Sequence, residues 1–155
     1  MSSPSSPKDL TALPSGARVF IDANIFIYHA GDLQEVTSVI ILAEVAHRLM
    51  ILEAIRTLGF SPRMAVKKLK EQPALVPQLS HYKVVTERIP SFNVAIEPVT
   101  FAYLQTAQSL SALHGLLTND SLTAAVMQAL GLTDVATNDS DLPVVPGLTI
   151  WRPQS

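Results

Sequence analysis

The sequence contains no cysteine. Disulfides and thiolate metal sites are therefore excluded, and nothing ties the chain to an oxidising compartment. Charge is also scarce: charged residues make up 15% of the chain, against about 25% in a typical soluble protein. A surface this poor in charge is expected to be covered in part by a partner or a second copy. The formal net charge of -2 argues against nucleic-acid binding through bulk charge alone, while leaving room for a local basic face. No apolar run approaches the ~20 residues of a membrane span; the stretch from Val39 to Val45 is interrupted by Glu44 and followed by His47 and Arg48. Met1 to Lys8 lacks the apolar segment of a secretory signal, so a soluble, cytoplasmic protein is expected. There is no glycine-rich phosphate loop, which disfavours a nucleotide-driven switch. Ser38 and Ser121 show no nucleophile-elbow pattern, and His29, His47, His81 and His114 show no metal-ligand spacing.

What is present reads as one domain of 155 residues. Residues 1–16 are rich in Ser and Pro and are expected to form a disordered tail, leaving 17–155 as the folded unit. Val19 to Ile21, Val94 to Ile96, Asp134 to Thr137 and Leu148 to Trp151 are short apolar runs of strand length. Between them lie helical patterns. Thr37 and Ser38 offer an N-cap for a helix that Gly59 stops. Ser61-Pro62 opens a second helix, which Pro73 ends; Leu75 to Ile89 is read as a third. Thr100 caps a fourth, and Thr118 to Asp120 cap a fifth that Gly131 stops. Short apolar strands alternating with helices predict an α/β domain in three layers, with a short central, mostly parallel sheet flanked by helices.

Ligands of open parallel sheets bind at the carboxyl ends of the strands, and the acidic residues fall there. Asp22 directly follows the first strand, Asp139 and Asp141 directly follow the strand ending at Thr137, and Asp120 opens a helix. Glu44 lies in a helix whose neighbours are almost all apolar. Each has an ordinary structural reading. Asp22 and Asn24 suit a turn, Asp120 a cap, Asp139 and Asp141 a polar turn, and Glu44 an i,i+4 pair with Arg48. Taken together they imply more. Two carboxylates about 5 Å apart repel by roughly 3 kcal/mol at an effective dielectric near 20, so a cluster of them calls for a counter-ion. Oxygen ligands without cysteine favour Mg²⁺ or Mn²⁺. Arg63, Lys67, Lys68 and Lys70 form one basic helix face, suited to RNA phosphates or simply to solvent.

Four segments of the sequence resemble, in order, the motifs of PIN domains: Val19-Phe-Ile-Asp22-Ala-Asn24, Thr37 to Val45 around Glu44, Asn119-Asp120-Ser-Leu-Thr-Ala-Ala125, and Val135-Ala-Thr137-Asn-Asp139-Ser-Asp141. The family is similar to VapC-type toxins of prokaryotic toxin–antitoxin pairs. The resemblance implies a Mg²⁺- or Mn²⁺-dependent endoribonuclease, often a homodimer, inhibited by a small antitoxin. Carried over by position, it implies metal ligation by Asp22, Asp120 and Asp139, with Glu44 binding the metal or its water and Asn24, Thr137 and Asp141 in support. One departure concerns the connection after the first strand. Only Gly31 to Glu35 separates the apolar run ending at Ala30 from Val36-Thr37, where family members carry a further helical segment. Two other readings follow from the residues: a PIN-like RNA- or protein-binding scaffold without catalysis, and a Mg²⁺-dependent phosphatase. The second is disfavoured because Asp22-Ala-Asn24 replaces the Asp-x-Asp of aspartyl-phosphate enzymes.

Overall fold

The computed structural model describes residues 6–25, 32–138 and 145–153. Among these residues six strands form a single sheet: β1 (Lys8–Asp9), β2 (Arg18–Ile21), β3 (Gln34–Ser38), β4 (Val94–Glu97), β5 (Asp134–Ala136) and β6 (Thr149–Arg152). Their order is β1-β6-β5-β2-β3-β4, and every neighbouring pair is parallel. The helices are α1 (Val39–Leu58), α2 (Ala65–Glu71), α3 (His81–Arg88), α4 (Phe101–His114) and α5 (Thr118–Leu130). The expected α/β domain with a flanked parallel sheet is what the chain forms.

Period-two alternation sends successive side chains to opposite faces of the sheet. Phe20, Val135 and Ile150 point to one face, where they pack with Val126 and Met127 of α5. Helix α4 lies against α5 through Ala107, Leu122 and Ala125. Val19, Ile21, Ala136 and Trp151 point to the other face, where Leu10 and Leu13 cover them. Farther along the same sheet, Val45 of α1 and Ile89 close over Val94.

Several sequence expectations are corrected. The tail expected over residues 1–16 is folded from Lys8 onward, because β1 pairs with β6 and Leu10 and Leu13 are buried. A strand precedes α1: Gln34 and Glu35 hide it from an apolar-run reading, yet it is sandwiched between β2 and β4. The β2–β3 connection is therefore residues 22–33, or 12 residues, which meets the dozen that a parallel crossover requires. Leu75 to Ile89 is not one helix. Pro73 and Pro77 hold a 3₁₀ segment, Pro73–Gln78, and the chain re-enters helix only at His81, since a proline has no N–H to give. Ser61 makes a turn instead of capping α2: its carbonyl accepts from the Met64 and Ala65 N–H groups, and α2 starts at Ala65. Helix α5 begins at Thr118 with Leu117 at the N-cap, so Asp120 lies in its first turn and is not its cap.

Among the described residues, no helix is long and apolar enough to cross a membrane.

Candidate functional site

The strand order dictates where a site belongs. After β2 the chain turns to β3 on one side; after β5 it turns to β6 on the other. The carboxyl ends of β2 and β5, neighbours in the sheet, thus flank the switch point at which open α/β sheets bind ligands. Asp22 is the first residue beyond β2, and Thr137 and Asn138 are the first two beyond β5.

Hydrogen bonds lock these ends together. The Asp22 N–H donates to the Ala136 carbonyl at 3.0 Å. Thr137, wholly buried, donates its hydroxyl to Asp22 Oδ2 at 2.7 Å, while the Ala23 N–H donates to Oδ1 at 2.7 Å. Asn24 Oδ1 accepts the Asn138 N–H at 3.0 Å. On the other flank of β2, the buried Thr37 hydroxyl donates to the Ile21 carbonyl at 2.9 Å. Ser38 then ends β3 and caps α1, its hydroxyl accepting the Ile41 N–H. Helices α1 and α5 both start at this edge of the sheet. Their N-terminal ends carry the positive side of the helix dipole, which favours nearby carboxylates and phosphates.

A cavity of about 140 Å³ opens here, lined by Asp22, Asn24, Glu44, Arg48, Asn119 and Asp120, with Ile41, Thr123 and Val135 beneath them. Three of the four expected ligands, Asp22, Glu44 and Asp120, thus share one cavity, and Asn24 and Thr137 brace Asp22 and its loop. The fourth, Asp139, and the supporting Asp141 lie outside the described residues. Asn119 and Thr123 are further members; their i,i+4 spacing on α5 is the signal that places both on one face.

The donor set is all oxygen, which suits a hard divalent cation. Yet among the described residues no three acidic or histidine side chains are grouped as ion ligands. The Glu44 carboxylate is turned to the Arg48 guanidinium one helical turn on. The pair is partly solvated, with side chains 54% and 31% exposed for Arg48 and Glu44, so it contributes no more than about 0.5 kcal/mol. Mg²⁺ is commonly held by one or two carboxylates, with water and phosphate completing the shell; Asp22, Glu44 and Asp120 are the side chains here that could hold such an ion.

A second cavity, about 450 Å³ and almost wholly apolar, runs between α1 and α3, walled by Val45, Leu49, Val85 and Ile89. It shares Asn24 and Arg48 with the acidic cavity and is also lined by the buried Glu35 of β3. Sequence reading missed Glu35 because it missed β3.

The basic residues lie elsewhere. Lys67, Lys68 and Lys70 are on α2 and Arg63 just before it; Lys67 stands 3.7 Å from Glu71. The buried Leu69 of α2 packs against Ala54 in the second half of α1, ten residues and about 15 Å along the helix from Glu44.

An open parallel sheet with an acidic cavity at its switch point is the α/β architecture that takes ligands at its strand ends. The PIN domain profile matches residues 19–148, and the chain belongs to that family. Among solved structures, a toxin–antitoxin complex from Klebsiella pneumoniae is similar at 16% identity and a TM-score of 0.49, over 84% of this chain and 95% of that one. VapC20 of Mycobacterium tuberculosis, a toxin that cleaves the sarcin–ricin loop, is similar at 19% identity and a TM-score of 0.44, over 80% of this chain and 92% of that one. No curated protein matches significantly.

Proposed function

We propose that this PIN-domain protein is a Mg²⁺- or Mn²⁺-dependent endoribonuclease, the toxin of a type II toxin–antitoxin pair. The supporting observation is the meeting of Asp22, Glu44 and Asp120 on one cavity at the switch point. Asp22 and Asp120 hold the cation, with Asp139 as a third ligand, and Glu44 joins them directly or through water. When bound, the cation neutralises phosphoryl charge and acidifies water. Thr137 fixes the orientation of Asp22, and Asn24 ties the β2 loop to the β5 loop. The reaction is hydrolysis of an RNA phosphodiester by in-line attack of water at phosphorus. Arg63, Lys67, Lys68 and Lys70 do not line the acidic cavity and serve the backbone of flanking nucleotides.

The proposed partners are RNA, a small antitoxin and a second copy of the chain. Leu52 and Phe92, half exposed beside the apolar cavity, give a protein partner an apolar surface.

Cleavage of a mixed RNA pool with Mn²⁺, and with chelator, tests this reading beside Asp22→Asn and Asp120→Asn. Metal-dependent cleavage that falls at least 100-fold in both variants is expected, because each removes a charge from the ion's shell. Cleavage that survives both substitutions removes the site. The engagement of Glu44 by Arg48 favours a second reading, a non-catalytic scaffold, and RNA binding without turnover in any divalent metal would establish it.

A further inference from the structure

Arg48 lies where the two cavities meet. It lines the acidic one with Asp22, Glu44 and Asp120, and the apolar one with Leu49 and Leu52. Its guanidinium reaches back along α1 to Glu44 Oε1. The sequence gives only an i,i+4 pair here, of the kind that decorates many solvated helices. The fold puts that pair inside a cavity with two more carboxylates, and this changes its meaning.

We propose that Arg48 is a positioning residue with two alternating partners: it neutralises Glu44 while the cavity holds no cation, and it turns to an RNA phosphate when the cation takes Glu44. This rests on the metal-dependent ribonuclease reading above.

Electrostatics carry the first half. Three carboxylates around about 140 Å³ repel one another, and one guanidinium offsets part of that repulsion. A divalent cation among Asp22, Asp120 and Glu44 offsets it more completely and competes for the same oxygen. The contact with Arg48 is weak enough to be exchanged, since both side chains are partly in water. The side chain's place carries the second half. Arg48 is more than half exposed and sits on the lip of the cavity. A guanidinium released from Glu44 there meets the phosphate that the cation attracts, and its planar fork matches two phosphate oxygens as an ammonium does not. The cavity thus keeps a lowered cation affinity until RNA arrives with a better partner for Arg48.

The test uses two equilibria besides turnover. Mn²⁺ binding is followed by calorimetry, and binding of a labelled mixed-sequence oligoribonucleotide is followed by anisotropy with Ca²⁺ in place of Mn²⁺. Arg48→Ala is expected to bind Mn²⁺ roughly five- to tenfold more tightly, because no guanidinium then competes with the cation for the Glu44 carboxylate. The same variant is expected to bind the RNA about tenfold more weakly, through loss of a charge-assisted hydrogen bond. Arg48→Lys restores the first effect towards wild type more than the second. In a Glu44→Gln background, Arg48→Ala changes Mn²⁺ affinity much less. Wild-type protein that binds Mn²⁺ while Arg48→Ala binds it no tighter overturns this proposal and leaves the nuclease reading standing. No Mn²⁺ binding by the wild type at millimolar concentration overturns both.

Discussion

At the scale of single residues, the candidate site was legible because polar groups interrupt apolar runs. Asp22 and Thr137 end strands, and Glu44 breaks an apolar helix face, so each stands out without any structure. What they do to one another was not legible. The Thr137 hydroxyl reaches Asp22 across 115 positions of sequence, and no local pattern encodes such a bond. Thr137→Val tests it: the swap keeps the volume and deletes the donor, so Asp22 Oδ2 loses this brace while the Ala23 N–H still holds Oδ1. Mn²⁺ affinity and RNA cleavage are expected to fall about tenfold, while thermal unfolding moves by only a few degrees. Full activity in Thr137→Val would show that Asp22 needs no such brace. Arg48 was read as an ordinary partner of Glu44 for the same reason: the cavity that gives the pair its meaning is assembled from four separate elements.

At the scale of elements, failures arose where a segment's own pattern was overruled by its neighbours. β3 carries Gln34 and Glu35 but is held by strands on both sides. The start of α3 shows the reverse case, a helix that receives its cap from elsewhere. Ser80 makes no side-chain cap, and the Glu53 carboxylate of α1 instead accepts the N–H groups of Ser80, His81 and Tyr82 at 2.9, 3.0 and 2.9 Å. Desolvation raises the pKa of Glu53, but the three N–H bonds, aided by His81, outweigh it and hold the carboxyl below its ordinary value. A depressed folded-state pKa contributes stability that is present above the unfolded value, about 4.3, and lost as pH falls through the folded one. Glu53→Gln is therefore expected to lower stability by about 1 kcal/mol at pH ~7. The gap between variant and wild type closes as pH drops below ~4. Urea midpoints at both pH values measure it, and a gap that widens on acidification would contradict the assignment.

At the scale of the whole molecule, the three-layer plan followed from composition and alternation, whereas the extent of the domain did not. Lys8 and Asp9 lie among serines and prolines, yet they add a strand beside Trp151 and Arg152. Lys8 Nζ sits 5.3 Å from the Trp151 ring centroid, and the Trp151 indole N–H donates to Asp134 at 2.7 Å. Leu10→Ala is expected to leave a cavity worth about 2–4 kcal/mol and to lower the melting temperature by about 5–10 °C, read by calorimetry. An unchanged melting temperature would make the arm an ornament. Phe101 and Leu113, near the two ends of α4, and Leu117, at the N-cap of α5, are each more than 70% exposed. A homodimer that covers them is expected to show twice the monomer mass by light scattering, and Leu113→Glu with Leu117→Glu to halve it.

The pairing of β1 with β6 also governs how the protein is made. A ribosome delivers β1 before β6 and the four strands that separate them in sequence, so Leu10 and Leu13 have no Trp151 to cover until β6 has emerged. The switch-point crevice has the same property, because β5 reaches its place beside β2 only after α4 and α5 have emerged. A nascent chain therefore carries Asp22 and Glu44 long before Asp120 and Thr137 join them. On the nuclease reading, the crevice is not assembled until α5 and β5 have both emerged and settled beside β2.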